Sequence, residues 1–173
     1  MSDNSTKKGI KPTKISLSEG ARFAVVAARW NAEITDALHD AAVETLQGQG
    51  VPDNFIETYR VPGAFELPAA AAALSRQDRY ANGAGAVICL GAVIKGDTEH
   101  DRFINQSVAE ALQRIAAEHL TPVMFGVLTC NTMEQARERA GGVHGNKGAE
   151  AALAAIEMVS VLRSICSPSQ PDQ

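Results

Sequence analysis

The chain has 173 residues, of which 45% are hydrophobic, 21% charged and only 5% aromatic, and its formal net charge is -4. This composition fits one globular domain, and it lacks the basic surface that binding to a nucleic-acid backbone requires. Since no apolar run reaches about 18 residues and the N-terminus is polar, we expect a cytoplasmic protein without a membrane span or a secretory signal.

The predicted elements lie between two polar ends. Residues 1–14 and 166–173 are predicted to be flexible tails, and residues 15–165 to form one domain. In chain order, periodicity predicts a strand over 22–28, a helix over 33–47, a strand over 54–60, a helix over 64–75, a strand over 86–94, a helix with Ile104, Val108, Ala111 and Ile115 on one face, a strand over 122–128, a short helix over 133–140 and a long helix over 147–163.

The alternation of strands and helices predicts a parallel sheet with helices on both faces. The almost continuous apolar run over 86–94 is typical of a central strand that is covered on both sides. With 29 alanines and few rings, the core should depend on close aliphatic packing. The three cysteines show no C-x-x-C spacing, so we interpret them as small buried residues rather than as disulfide or zinc ligands.

The first two strands end in residues suited to a binding cleft, because ligands bind at the carboxyl ends of parallel strands. Trp30, the only tryptophan, and Asn31 follow the first strand. A Pro-Gly turn, Phe65 and Glu66 follow the second. A lone tryptophan usually packs in a core or an interface, and Phe65 with Glu66 also fits a capped helix start. The alternative hypothesis is an apolar surface and a carboxylate that face one cleft.

The third strand leads into Gly96-Asp97-Thr98, which we predict to open a helix and to offer free N–H groups to an anion. His100 lies in the first turn of that helix. A histidine at such a position is often only solvated or structural. Beside an anion site, however, its imidazole is suited to proton transfer.

The fourth strand precedes a helix with Arg137 and Arg139. Both arginines fit a solvated helix face, and either could instead bind a phosphate through two hydrogen bonds. The following segment, residues 145–148, predicts a turn before the last helix. It is not a nucleotide-binding P-loop, because the required G-x-x-x-x-G-K-[ST] arrangement is absent.

Together these segments resemble the lumazine synthase family of riboflavin biosynthesis. The resemblance rests on P-G-A-F-E-L-P at 62–68, G-x-V-I-K-G-x-T-x-H at 91–100, E-R-A-G at 138–141 and G-N-K-G-A-E at 145–150. It implies a flavodoxin-like three-layer α/β/α domain with a four-stranded parallel sheet, and a homopentamer with active sites between adjacent subunits. It also implies a transferase that condenses 5-amino-6-ribitylamino-uracil with L-3,4-dihydroxy-2-butanone 4-phosphate, releases phosphate and water, and uses no metal or organic cofactor.

The resemblance implies a role for each matching site residue. His100 matches the proton-transfer residue. The positions matching the phosphate site are Gly96, Asp97, Thr98 and Arg139. The positions matching the pyrimidine and ribityl site are Trp30, Asn31, Ala64, Phe65, Glu66, Ala92, Val93, Ile94, Phe125 and Lys147, with Phe125 on the wall from a neighbouring subunit. Asp101 departs from the family, which commonly has an aromatic residue there.

Assembly and two rival functions stay open at the level of the sequence. Family members stop at pentamers, pair them into decamers or build sixty-subunit icosahedral shells, and riboflavin synthase is a candidate partner. One rival is a non-catalytic relative that carries a flavin or a lumazine. The other is a doubly wound nucleotide-binding or regulatory module, although the chain lacks a G-x-G-x-x-G motif.

Overall fold

The computed structural model describes residues 20–166, so the predicted tail over 1–14 and nearly all of the tail over 166–173 lie outside the described residues. The strands and helices are β1 (Arg22–Ala28), α1 (Ala32–Gly48), β2 (Ile56–Val61), α2 (Leu67–Ser75), β3 (Gly85–Ile94), α3 (His100–His119), β4 (Val123–Cys130), α4 (Met133–Arg139), β5 (Ala140–Gly142), β6 (Gly145–Asn146) and α5 (Lys147–Cys166).

The main sheet is four-stranded and parallel, in the order β2-β1-β3-β4. At its centre, Val25 of β1 is paired with Thr58 on one side and Ile88 on the other. The chain therefore starts in the middle of the sheet and winds outward in both directions. This confirms the predicted parallel sheet and the flavodoxin-like fold.

Two separate cores lie on the two faces of the sheet. Alternate residues of β3 supply them, with Ile88 and Leu90 in one core and Val87 and Cys89 in the other. Helices α1, α4 and α5 cover the first face, and helices α2 and α3 cover the second. Because successive strand side chains point to opposite faces, a strand buried on both sides must be apolar throughout, as β3 is.

Helices α1 and α5 approach closely where α5 begins. Asn146 accepts hydrogen bonds from the N–H groups of Gly148 and Ala149 at 2.8 Å and 3.4 Å, and its side-chain amide donates to the carbonyl of Ala37 in α1 at 3.1 Å. A Cβ atom at Gly148 would run into the backbone carbonyl of Leu38. The predicted turn at 145–148 therefore starts α5 and also holds the beginning of α5 against α1.

Several predicted boundaries are wrong for local reasons. Residues 53–55 form a short 3-10 turn, so β2 begins at Ile56 rather than at residue 54. Residues 64–66 form another such turn, and α2 begins only at Leu67, with a proline in its first turn, where the missing N–H costs nothing. Helix α3 begins at His100, after the turn that we expected to open it.

The three cysteines differ in burial, although the sequence analysis treats them alike. Cys89 is fully buried in β3, and burial raises the pKa of its thiol to about 12, so it is an inert core residue. Cys130 is only partly buried, and Cys166 is exposed. The interpretation of all three as small buried residues is therefore correct for Cys89 and wrong for Cys166.

Candidate active site

A cleft of about 510 Å³ lies at the carboxyl ends of β1, β2 and β3. Its walls come from the turns after β1 and β2, from the last residues of β3 and the turn that follows them, and from the first turns of α3. The lining residues are Trp30, Asn31, Pro62, Gly63, Ala64, Phe65, Ala92, Val93, Ile94, Gly96, Thr98, His100, Asp101 and Ile104. Most of the site residues predicted after the first three strands are thus brought together.

Two aromatic rings stand open at this cleft. Trp30 is 73% exposed and Phe65 is 61% exposed. Neither ring belongs to the two cores, so of the two packing roles considered for Trp30 the core is ruled out, and packing at an interface stays a prediction. Exposed flat rings at the mouth of a cleft suit the stacking of a planar heterocycle.

The turn between β2 and α2 is held by Glu66. Its Oε2 accepts a hydrogen bond from the N–H of Gly63 at 2.8 Å, while the N–H of Glu66 donates back to the carbonyl of Gly63 at 3.3 Å. This reciprocal pair fits the interpretation as a capped helix start. Glu66 is not among the residues that line the cleft, although it fixes the backbone that presents Ala64 and Phe65.

The turn before α3 forms the polar end of the cleft. The N–H of His100 donates to the hydroxyl of Thr98 at 3.4 Å, and a Cβ atom at Gly96 would meet no atom within 4 Å. Asp97 lies in the same turn but not in the lining. A hydroxyl, an open backbone and the start of a long helix here suit an anionic group, with the imidazole of His100 beside it.

Arg139 and Lys147 lie outside the cleft and share one carboxylate. Nη2 of Arg139 and Nζ of Lys147 are 3.3 Å and 3.2 Å from Oε2 of Glu150. Nη1 of Arg139 also donates to the carbonyl of His144 at 3.0 Å. Glu150 is thus a partner that the sequence reasoning did not identify.

Arg137 differs from Arg139 in what it binds. Its guanidinium contacts both oxygens of Glu33, at 2.7 Å and 3.1 Å, and Glu134 at 3.3 Å. These carboxylates raise the pKa of Arg137, and its contact lowers the pKa of Glu33. Arg137 therefore links α4 to the start of α1, and the structure favours Arg139 as the arginine available to a ligand.

Phe125 is also away from the cleft. It lies on the outer strand β4, where it is 38% exposed, and it is absent from the lining. The predicted site residues that one chain does not bring into the cleft are Glu66, Asp97, Phe125, Arg139 and Lys147.

The cleft also contains residues that the sequence analysis did not assign to the site. Ile104 follows His100 by four positions, and residues at this spacing share one face of a helix, so the spacing could have identified it. Asp101 lines the cleft too, and it places a carboxylate beside His100. Pro62 and Gly63, from the Pro-Gly turn that the sequence analysis recognised, also line the cleft.

Two further classes of site find no support within residues 20–166. No group of three histidine, cysteine or acidic side chains in this part of the chain is placed to hold a metal ion. Nor is any helix in the same range long and apolar enough to cross a membrane.

Comparisons with known proteins agree with the motif pattern. The family model described as 6,7-dimethyl-8-ribityllumazine synthase matches residues 20–163. The protein of that name from Stenotrophomonas maltophilia (strain K279a) is 47% identical, over 85% of this chain and 92% of its own. Those from Xylella fastidiosa (strain M12) and Xanthomonas oryzae pv. oryzae (strain PXO99A) are 46% and 45% identical, over 84% and 82% of this chain and 92% and 90% of theirs.

Proposed function

The chain belongs to the 6,7-dimethyl-8-ribityllumazine synthase family and carries out its reaction in riboflavin biosynthesis, and from this premise we propose how its residues do so. The reaction condenses 5-amino-6-ribitylamino-uracil with L-3,4-dihydroxy-2-butanone 4-phosphate. The observation that carries the proposal is the cleft at the ends of β1, β2 and β3, which joins two open rings to an anion-binding turn and a histidine.

The apolar part of the cleft binds the pyrimidine. Trp30 and Phe65 offer faces to its ring, and the backbone over 92–94 offers polar groups to its edge. The ribityl chain extends along the 64–66 turn. There Oε2 of Glu66 already accepts a hydrogen bond from Gly63, so only its second oxygen is open to a ribityl hydroxyl.

The phosphate of the second substrate binds at the polar end of the cleft. The turn over 96–98 and the start of α3 supply backbone N–H groups and the hydroxyl of Thr98. Arg139 supplies a guanidinium from an adjacent subunit, with Lys147 near it. In this arrangement the ketone lies beside the pyrimidine amine, so that imine formation becomes effectively intramolecular.

His100 moves protons in the steps that follow. As the carbinolamine loses water and the phosphate group departs, protons must reach the leaving oxygens and leave the carbon skeleton. The position of His100 in the cleft lining, next to the turn that carries Thr98, supports this role. Asp101, in the same wall, keeps that part of the cleft polar.

We further propose a cytoplasmic homopentamer built from one domain over residues 15–165. The support is that Phe125 and Arg139 lie outside the cleft of their own chain while their motif positions belong to the site. We extend this proposal to larger assemblies, in which pentamers pair into a decamer or build a sixty-subunit shell. Riboflavin synthase is the proposed partner of such an assembly.

Mixing the two substrates with the purified protein tests the proposal. We expect the absorbance and fluorescence of a lumazine to appear, together with free phosphate in equal amount. Substitution of Phe65 by alanine should raise the KM for the pyrimidine, because a ring face is lost. The matched control is Phe103→Ala, since Phe103 is also exposed but lies outside the cleft lining. A folded protein that binds a flavin and forms no lumazine would support the carrier hypothesis instead.

A further inference from the structure

We propose that Asn31 is a positioning residue that holds the indole of Trp30 against the pyrimidine-binding wall of the cleft. The inference rests on the proposed role of Trp30 in stacking and goes beyond it, because it says what keeps the ring in place. Trp30 is 73% exposed, so packing within the chain does little to orient it. Its direction must come from the backbone of its own turn.

The backbone of Asn31 has an uncommon conformation. Its φ and ψ angles are 59° and 50°, which is the left-handed region. Among the described residues that are not glycine, only Asn82 and Leu120 share a positive φ with it. Asparagine tolerates this region better than most residues do, because its short polar side chain can bond locally. This conformation reverses the chain between β1 and α1 and leaves Trp30 at the tip of the turn.

Hydrogen bonds fix the turn on two sides. The N–H groups of Arg29 and Trp30 donate to the carbonyls of Val61 and Pro62, at 2.8 Å and 3.1 Å, and so tie the turn to the end of β2. On the other side, Nδ2 of Asn31 donates to the carbonyl of Ala92 in β3 at 2.9 Å. The turn is therefore bound to both strands that flank β1.

The same residue starts the following helix. The carbonyl of Asn31 accepts hydrogen bonds from the N–H groups of Ile34 and Thr35 at 2.9 Å and 3.0 Å. Ile34 and Thr35 are buried, so this end of the turn is anchored in the core.

The bond from Nδ2 joins two walls of the cleft. Ala92 belongs to the segment proposed to line the pyrimidine pocket, and Trp30 is the proposed stacking ring, so Asn31 sets the gap between them. One of its two amide hydrogens is donated to a protein carbonyl, although Asn31 also lines the cleft. Through this bond Asn31 holds the substrate-binding groups in register and acts on the substrate by way of Trp30.

The decisive variant is Asn31→Gly, because glycine keeps the left-handed backbone and removes only the side chain. Asn82→Gly is the matched control, since Asn82 has a φ of 53° and is exposed in a turn that does not line the cleft. The readouts are the KM and kcat for 5-amino-6-ribitylamino-uracil, and the anisotropy and acrylamide quenching of tryptophan fluorescence. Because the chain has a single tryptophan, the fluorescence reports on Trp30 alone.

For Asn31→Gly we expect a lower anisotropy, stronger quenching and a KM raised about five- to tenfold, which corresponds to the loss of one hydrogen bond, with kcat within about twofold of the wild type. Asn82→Gly should change none of these. Asn31→Asp, which lacks the amide hydrogens but keeps the shape, should behave like Asn31→Gly, and it decides the matter if the glycine variant does not fold.

Wild-type anisotropy and KM in either Asn31 variant would overturn the proposal. So would a fall in kcat with an unchanged KM, because that result would place Asn31 in the chemical step. If the wild type itself forms no lumazine, the proposed function fails, yet the fluorescence of the variants still decides whether Asn31 holds Trp30.

Discussion

The two arginines of α4, Arg137 and Arg139, differ in how many carboxylates surround them. Arg137 is surrounded by two carboxylates, so its charge is fully compensated. Arg139 and Lys147 share the single carboxylate of Glu150, which leaves one positive charge in excess. Two arginines that are two positions apart on one short helix therefore have different electrostatic surroundings, and fewer carboxylates compete with an anion at Arg139 than at Arg137.

Substitution of Arg139 by alanine should mainly affect binding of the phosphate substrate. We expect its KM to rise roughly 10- to 100-fold, the value of a hydrogen bond to a charged group, with a smaller change in kcat. Steady-state kinetics with the phosphate substrate varied would measure this. Arg137→Ala is the matched control, and an equal rise in KM for both variants would contradict the distinction between the two arginines.

Substitution of His100 by alanine should slow the reaction without abolishing it. Positioning of two substrates supplies much of the acceleration in a condensation of this kind, and general acid-base catalysis adds a further factor at the low end of its usual range, so kcat should fall about 100-fold. His144→Ala, which removes an exposed histidine outside the cleft, is the control. Complete inactivity of a correctly assembled His100→Ala protein would show that proton transfer outweighs positioning.

Among the elements, those with a regular hydrophobic pattern could be predicted from the sequence. The continuous apolar run of β3 and the helical spacing of Val108 and Ile115 on α3 are both in the structure where the sequence puts them. The short 3-10 turns and the β5–β6 hairpin have too few residues for any periodicity to show. Their conformation depends on local contacts, such as the bond between Glu66 and Gly63.

The candidate site was only partly predictable for a related reason. Residues that follow parallel strands must meet at one edge of the sheet, so Trp30, Phe65 and His100 could be grouped from the sequence alone. The partner of a charged side chain, by contrast, depends on which residues the fold brings near it in space. The sequence therefore could not show that Arg137 forms an ion pair with Glu33, which is 104 positions away. Nor could it show that Glu150 pairs with both Arg139 and Lys147.

The contact between α1 and α5 should depend on the missing side chain of Gly148. In Gly148→Ala the new Cβ would run into the carbonyl of Leu38, so the two helices must separate. We expect a loss of about 1–3 kcal/mol in the free energy of unfolding, as for other overpacked contacts, and a fall of several degrees in Tm.

Gly48→Ala is the matched control for this substitution. Gly48 ends α1, and a Cβ atom there would meet nothing within 4 Å. Because alanine favours a helix more than glycine does, this variant should be as stable as the wild type or slightly more so. Equal Tm values for the two variants in thermal unfolding would contradict the importance of the close approach.

For the whole molecule, the few aromatic rings are divided between core and surface. Among residues 20–166, only Phe23 and Tyr80 are aromatic residues that are fully buried. The exposed rings are Trp30, Tyr59, Phe65, Phe103 and Phe125. A chain with few rings that leaves most of them uncovered has surfaces suited to contact with other molecules. Some of these rings surround the cleft, and Phe125 lies on β4, at the opposite edge of the sheet from β2.

Because Arg139 lies outside the cleft of its own chain, two weakly active variants should restore activity in each other. A variant with a damaged cleft, Trp30→Ala combined with Phe65→Ala, keeps an intact Arg139, and Arg139→Ala keeps an intact cleft. If each site joins the cleft of one subunit to Arg139 of the next, unfolding and refolding an equal mixture yields about a quarter of sites with both intact halves. At substrate concentrations below the wild-type KM values, where both variants are nearly silent, lumazine formation should then recover to about a quarter of the wild-type rate. If the mixture is no more active than its separate components, cleft and arginine must act within one chain.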